Sequence, residues 1–338
     1  MDGRLDLLSP LTHGGDLAAA YAMFPNASQP FIDLSTGINP YSYPLPRLAA
    51  ATFVRLPDET MLRGLCEAAA RAYGASSAEE VVPAPGTQIL LPLVAKMALP
   101  GRAAVLGPTY SEHLRAATLA GHDVAEVSGL DQMSEARLAV VVNPNNPDGR
   151  ILPKSLLLDL ADELARRDGI LVVDEAFADV MPAEFSVADA VAARSNVVVL
   201  RSFGKFFGLA GLRLGFALTA SNIACRLKAW LGPWAASGPA IHIGRIALAN
   251  EEWKTATRKR LAIAAQRLDE MLVASGLDVV GGTHLYRLTQ SINSAELFGR
   301  LGRCGILVRR FADHTLWLRW GLPKTENDWQ RLKAALHI

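Results

Sequence analysis

A lysine set among aromatic and glycine residues is the strongest chemical signal in the sequence. Lys205 lies in the run FGKFFG at 203–208, with Ser202 three residues before it and Arg213 eight residues after it. Such surroundings remove water from an ammonium group, favour the neutral amine and suit the lysine to Schiff-base chemistry. The accompanying hydroxyl and guanidinium favour this interpretation over an ordinary surface lysine whose charge reaches solvent.

Three further segments carry polar groups that could meet this lysine. Gly86, Thr87 and Gln88 open a predicted helical run at 89–97, and backbone N–H groups at a helix start bind phosphate, although such starts also occur without ligands. Asn146 lies in the loop after the run LAVVV. Asp174 ends another buried run, where a carboxylate is costly unless it meets a cation or a hydrogen-bond donor.

Short Val-rich runs separated by helical stretches must position these groups. Such runs are typical of parallel strands covered on both faces, and ligands bind at their carboxyl ends. The runs are 103–106, 138–142, 170–174 and 196–200. We predict a doubly wound, mostly parallel α/β domain over 31–220. Residues 1–30 and 221–338, with a long helical stretch at about 241–275, are predicted to form a smaller α+β domain.

Composition and charge limit the kinds of partner. The 338 residues hold 34 Lys and Arg against 33 Asp and Glu, so no net field attracts nucleic acid or an anionic membrane. Three scattered cysteines without a CxxC pair argue against a disulfide framework and a zinc site. No signal peptide or membrane-spanning apolar window is evident. We expect a cytoplasmic protein with a small-molecule substrate or protein partners and no metal.

A phosphate seat, a carboxylate, an amide and a desolvated lysine together describe a pyridoxal phosphate (PLP) pocket. The motifs resemble those of the fold-type I, class I/II PLP-dependent aminotransferase family over nearly the whole chain. Its Asn-Pro-x-Gly motif is found at 146–149, its strand-end Asp at Asp174, and its Ser-x-x-Lys motif with a distal Arg at Ser202, Lys205 and Arg213. The resemblance implies the PLP-dependent transferase fold and a homodimer.

The resemblance also implies a role for each matching residue. Lys205 would bind the cofactor covalently and later carry a proton, and Asp174 would pair with the pyridine nitrogen. Asn146 would bind the ring hydroxyl, and Tyr110 would stack on the ring, so the implied catalytic residues are Lys205, Asp174 and Tyr110. The implied cofactor-binding residues are Gly86, Thr87, Gln88, Tyr110, Asn146, Asp174, Ser202, Lys205 and Arg213.

Two positions depart from the family pattern. Phe177 stands where the family often has a tyrosine that donates to the ring hydroxyl, and phenylalanine cannot donate. Leu56 precedes Pro57 and Asp58 where the family often has a tyrosine that reaches the neighbouring subunit's phosphate. Cofactor affinity is therefore expected to differ from the family norm.

The amino-terminal segment narrows the choice within the family. His13-Gly14-Gly15 and the later STGINP segment, with Gly37 and Asn39, resemble the opening of the threonine-phosphate decarboxylases of cobalamin biosynthesis. The resemblance implies decarboxylation of L-threonine O-3-phosphate to (R)-1-amino-2-propanol O-2-phosphate. Such a substrate needs two cationic sites. Arg319 matches the family's carboxylate-binding arginine, and we expect Arg309 to bind the phosphate, with Arg310 and Arg150 as alternatives.

Two other functions stay open. The same site groups serve an aminotransferase of the histidinol-phosphate type, because the Cα bond that stands perpendicular to the ring decides the reaction and the sequence does not reveal it. A PLP-binding protein that acts only in assembly is disfavoured by the intact Lys205 and Asp174. A nucleotide-binding Rossmann protein is disfavoured because GxGxxG follows no predicted strand.

Overall fold

The computed structural model describes residues 13–337. Its internal contacts divide the chain into two compact units. Within the described residues, the larger unit comprises Tyr43–Asn146 and Ile151–Glu252, and the smaller comprises 13–42, Pro147–Arg150 and 253–337.

The elements are numbered along the chain. The helices are α1 (Leu17–Met23), α2 (Ala51–Val54), α3 (Glu59–Tyr73), α4 (Leu90–Ala95), α5 (Glu112–Leu119), α6 (Lys154–Ala165), α7 (Phe203–Phe206), α8 (Ser221–Leu231), α9 (Gly238–Ala249), α10 (Glu251–Ala274), α11 (Ser294–Arg303) and α12 (Glu326–Leu336). The strands are β1 (Ile32–Leu34), β2 (Val81–Ala84), β3 (Arg102–Leu106), β4 (Asp123–Val127), β5 (Leu138–Val142), β6 (Ile170–Asp174), β7 (Val197–Ser202), β8 (Gly215–Thr219), β9 (Asp278–Thr283), β10 (Tyr286–Gln290), β11 (Ile306–Arg310) and β12 (Trp317–Gly321). Short 3-10 turns include Thr87–Ile89 and Ala210–Leu212.

The larger unit is built on a seven-stranded sheet in the order β2-β8-β7-β6-β5-β3-β4. The strands β3 to β7 pair in parallel, and β8 pairs antiparallel with both β7 and β2. The four Val-rich runs are β3, β5, β6 and β7, which confirms the predicted mostly parallel α/β domain. The helical run predicted at 89–97 is shorter, since α4 has six residues and follows a 3-10 turn.

Both faces of this sheet are covered. Alternate residues such as Val140, Val172 and Leu200 share a core cluster with side chains of α4, α5 and α8. The residues between them, such as Val141 and Val173, are fully buried as well. Continuous apolar runs are therefore required along these strands, as the sequence indicates.

The smaller unit contains a five-stranded sheet in the order β1-β11-β12-β10-β9. β1 pairs in parallel with β11, and the other neighbours are antiparallel. Helices α10, α11 and α12 follow or separate these strands along the chain. This arrangement is the predicted α+β domain.

The boundary between the units differs from the predicted one at 220/221. Helix α8 packs on β2 and β8, and α9 packs on α3, so 221–252 group with the larger unit. Strand β1 groups with the smaller unit because it pairs with β11. The stretch predicted as one helix at 241–275 is two helices, because α9 ends before Asn250 and α10 begins after it.

The described residues contain neither a membrane-spanning helix nor a cluster of metal-binding side chains. No helix between residues 13 and 337 is long and apolar enough to cross a membrane. The same residues contain no group of three or more His, Cys, Asp or Glu side chains placed to hold a metal ion.

Candidate active site

The carboxyl ends of three adjacent strands bring the predicted residues of the larger unit together. Asp174, the last residue of β6, pairs in register with Val142 of β5 and Leu200 of β7. The loop that carries Asn146 therefore begins beside Asp174, and Ser202 and Lys205 follow on the other side. Parallel strands end at one edge of a sheet, which is why groups distant in sequence meet here.

Lys205 lies in the short helix α7, directly after β7. Its neighbours Phe203 and Phe206 are fully buried, while Lys205 itself is half-buried. Its Nζ lies 5.6 Å from the centroid of the buried Phe177 ring. Phe177, which departs from the family pattern, thus presents a hydrocarbon ring without a hydroxyl to the Lys205 amino group.

Asp174 meets His113 of α5, a contact that was not foreseen from the sequence. His113 Nε2 lies 2.8 Å from Asp174 Oδ2, and both residues are buried. A carboxylate accepts hydrogen bonds and cannot donate them, so Nε2 carries the hydrogen. Asp174 Oδ1 accepts a second bond from the Ala176 N–H at 3.0 Å. These two contacts fix the direction of the Asp174 side chain.

The predicted phosphate seat is assembled from three segments. Gly86 has a φ of +86°, and a Cβ built there would lie 2.5 Å from Arg213 Nη2, so a larger residue would displace the guanidinium. Ser202 pairs in register with Gly215, whose ideal Cβ position lies 2.6 Å from the Thr87 nitrogen. Because α4 is only six residues long, a phosphate at this position would depend on backbone N–H groups and the Arg213 charge rather than on a helix dipole.

The loop with Asn146 is tied to the loop with Tyr110 through the buried neighbour Asn145. Asn145 Nδ2 donates to the Pro108 carbonyl at 2.9 Å, and Thr109 Oγ1 donates to Asn145 Oδ1 at 2.6 Å. Asn146 itself is half-buried. The Tyr110 hydroxyl donates to Gln88 Oε1 at 3.1 Å.

A buried ion pair joins the residues next to Asp174 and Ser202. Arg201 Nη1 lies 2.8 Å from Glu175 Oε2, and Arg201 Nη2 lies 3.1 Å from Asp179 Oδ1. Burial alone would lower the pKa of Arg201, but the two carboxylates raise it above its ordinary value. The guanidinium therefore stays charged and connects the ends of β6 and β7.

In the smaller unit, the two arginines expected to bind the substrate's carboxylate and phosphate lie opposite each other on neighbouring strands. Arg309 of β11 and Arg319 of β12 are antiparallel partners in register, so their side chains leave the same face of the sheet. Buried Arg319 donates through Nη2 to the Ser35 carbonyl at 2.9 Å and lies 5.1 Å from the Tyr286 ring centroid. Burial raises the pKa of Tyr286 above its usual range, so this ring stays neutral beside the cation.

The alternatives for the phosphate, Arg310 and Arg150, do not pair with Arg319 across the sheet. Arg310 is paired with Leu318, is exposed, and lies over the Phe298 ring at 4.0 Å on the face opposite to Arg309. Arg150 is half-buried, and its backbone N–H donates to Asp148 Oδ1 at 3.0 Å.

The amino-terminal motif packs beside Arg319. The Gly15 N–H donates to Ser35 Oγ at 2.7 Å, and a Cβ on Gly14 would lie 2.3 Å from the same Ser35 carbonyl that accepts from Arg319. Asn39 is buried, and its Oδ1 accepts from the Tyr41 N–H at 2.8 Å, which closes a turn. Gly37 is buried as well, whereas His13 is exposed.

The fold and the amino-acid sequence match one family. The chain belongs to the aminotransferase class I and II family, whose model matches residues 29–335. A threonine-phosphate decarboxylase from Pseudomonas aeruginosa is 41% identical over 96% of this chain and 97% of its own length. A threonine-phosphate decarboxylase from a Sinorhizobium species is 40% identical over 97% of this chain and 98% of its own. The crystal structure of histidinol-phosphate aminotransferase from Sinorhizobium meliloti, in complex with pyridoxal-5'-phosphate, has a TM-score of 0.83 at 21% identity, covering 99% of this chain and 97% of that one.

Proposed function

We propose that this chain is a PLP-dependent lyase that decarboxylates L-threonine O-3-phosphate. The carboxyl group leaves as CO2, and a proton takes its place to give (R)-1-amino-2-propanol O-2-phosphate, a step of cobalamin biosynthesis. One observation carries the choice of reaction, namely the 40–41% identity over nearly the whole chain to two threonine-phosphate decarboxylases.

The residues of the larger unit fit PLP. A half-buried lysine among aromatic rings, a buried carboxylate and a seat of N–H groups with a guanidinium match the cofactor's aldehyde, ring nitrogen and phosphate. PLP, when bound, supplies an electron sink for the bond that breaks at Cα. Lys205 would hold the cofactor and later deliver the proton to the substrate, Asp174 would pair with the ring nitrogen, and His113 would orient Asp174 through its 2.8 Å contact.

The arginine pair of the smaller unit fits a substrate with two anionic groups. Like charges directly opposite each other on a sheet are destabilising, so Arg309 and Arg319 on one face favour an anionic ligand. We assign the carboxylate to Arg319, by its place in the family pattern, and the phosphate to Arg309. His13, Gly37 and Asn39 are the further substrate-binding residues of this proposal.

An exposed apolar patch in the larger unit supports a homodimer. Four large side chains of this patch are between 58% and 82% exposed: Phe53, Val54, Leu56 and Trp234. They lie near one another, because α2 packs on α9 and Pro57 and Trp234 line the same cleft. Patches of this kind mark protein interfaces. Sedimentation of the active enzyme as a monomer at micromolar concentration would contradict the dimer.

We propose the cytoplasm as the location of this protein.

The reaction is tested by giving the purified protein PLP and either threonine phosphate or histidinol phosphate with 2-oxoglutarate. We expect the wild-type protein to release CO2 from threonine phosphate without consuming 2-oxoglutarate. We expect the Lys205→Ala variant to release no CO2 and to consume no 2-oxoglutarate. Formation of glutamate without CO2 would identify an aminotransferase instead. A yellow protein that turns over neither substrate would favour a role in assembly.

A further inference from the structure

Gln88 and Glu112 form a hydrogen-bonded chain that ends on Tyr110. The Tyr110 hydroxyl donates to Gln88 Oε1 at 3.1 Å, and Gln88 Nε2 donates to Glu112 Oε2 at 2.7 Å. Glu112 is 8% exposed and stands in the first turn of α5, two residues after Tyr110. Because a carboxylate only accepts hydrogen bonds, Glu112 draws the amide nitrogen of Gln88 toward itself and leaves the amide oxygen facing Tyr110.

The Tyr110 ring is held at a second point by His113. The two ring centroids are 5.9 Å apart with an interplanar angle of 84°, an edge-to-face contact. His113 is in turn fixed by its 2.8 Å contact with Asp174. The half-buried Tyr110 side chain is therefore oriented at its hydroxyl by Gln88 and along its ring by His113.

We propose that Gln88 and Glu112 are positioning residues that set the orientation of Tyr110 for stacking on PLP. The inference rests on the proposed function, since it takes Tyr110 as the residue that stacks on the cofactor. This inference gives Gln88 a different role from the one expected from the sequence. The Gln88 side chain is bonded to Tyr110 and Glu112, so only the Gln88 backbone N–H is left to bind the phosphate.

A double-mutant cycle tests whether Gln88 acts through Tyr110. Gln88→Leu keeps the approximate size and removes both bonds, and Tyr110→Phe removes the hydroxyl. The readouts are the PLP dissociation constant from absorbance titration and the visible circular dichroism of bound PLP. We expect Gln88→Leu to weaken PLP binding roughly 2- to 10-fold, the worth of one net hydrogen bond. In the Tyr110→Phe background the same change should have less than about a twofold effect.

Matched variants separate this role from a general loss of a glutamine. Gln266 on α10 donates to Glu270 at 3.0 Å in an exposed pair of the same kind, so Gln266→Leu should alter neither readout. Glu112→Gln keeps an acceptor oxygen, so it should weaken PLP binding less than Glu112→Leu does.

Two outcomes overturn the inference. If the effects of Gln88→Leu and Tyr110→Phe on PLP affinity multiply, then Gln88 does not act through Tyr110. The urea-unfolding free energy of the wild type, the two single variants and the double variant can also be measured without PLP. If the effects of Gln88→Leu and Tyr110→Phe on that free energy are additive, the inference is refuted, whether or not PLP binds. Failure of the wild-type protein to bind PLP instead refutes the proposed function, and the apo cycle then decides on the pair alone.

Discussion

Replacement of Arg309 by alanine should damage catalysis on threonine phosphate while leaving the fold intact. Arg309 and Arg319 face each other on one side of the sheet, and a charged hydrogen bond to phosphate is worth about 1.5 to 3 kcal/mol. Losing it should lower kcat/KM for threonine phosphate by about 10- to 150-fold. Unphosphorylated threonine lacks this contact, so its turnover should barely change, whereas Arg319→Ala should damage both reactions.

The same change has an expected effect on stability. Removing one of two opposed like charges relieves about 0.2 to 1 kcal/mol of repulsion. The Arg309 guanidinium also lies 5.5 Å from the Phe311 ring, and loss of that contact costs a similar amount, about 0.5 to 1 kcal/mol. The urea-unfolding free energy should therefore stay within about 1 kcal/mol of the wild-type value. Arg310→Ala, on the same strand but the opposite face, is the matched control. Equal losses on threonine and threonine phosphate for Arg309→Ala would refute the phosphate role.

Three further changes should give distinct results. Asp174→Asn should still bind PLP but lose on the order of 10²-fold or more in kcat, because the charge that stabilises the ring proton is gone; near-normal turnover would disprove the role. Burial lowers the pKa of His284, so the unfolded chain takes up a proton at this residue before the folded protein does as the pH falls. The free energy of unfolding should therefore fall below about pH 6.5. His284→Gln should reduce the change in the urea-unfolding free energy between about pH 7.5 and 5.5, and an unchanged pH dependence would contradict this. Burial raises the pKa of the Cys66 thiol to about 11, so an aromatic disulfide reagent at pH 8 should modify exposed Cys225 and spare Cys66, which mass spectrometry of the labelled peptides checks.

The parallel core of the larger unit was predictable because each of its central strands is a continuous apolar run. Strand β4 was missed since it lies at the sheet edge, where Asp123 and Glu126 are exposed and break the apolar run. Strand β8 is not evident in the sequence because Gly215 and Thr219 enclose only three apolar residues, which form too short a run to stand out. The boundary between the units depends on the elements against which α8 and α9 pack. The local periodicity of a sequence does not reveal such packing partners.

The candidate site was predictable where one motif supplies several groups, as with Ser202, Lys205 and Arg213. The His113 contact with Asp174 joins positions 61 residues apart and leaves no local spacing signal. The choice between Arg309 and Arg310 likewise required the register, because adjacent residues of a strand point to opposite faces. Only Arg309 can share a face with its partner Arg319.

The most direct test of the lyase assignment is a crystal structure of the PLP-bound protein with an unreactive analogue of threonine phosphate that keeps both the carboxylate and the phosphate. We expect the phosphate on Arg309, the carboxylate on Arg319, and the bond from Cα to the carboxylate perpendicular to the cofactor ring. That alignment is the one from which CO2 leaves. A structure in which the Cα–H bond stands perpendicular instead, with the carboxylate in the ring plane, would contradict the account and identify an aminotransferase geometry.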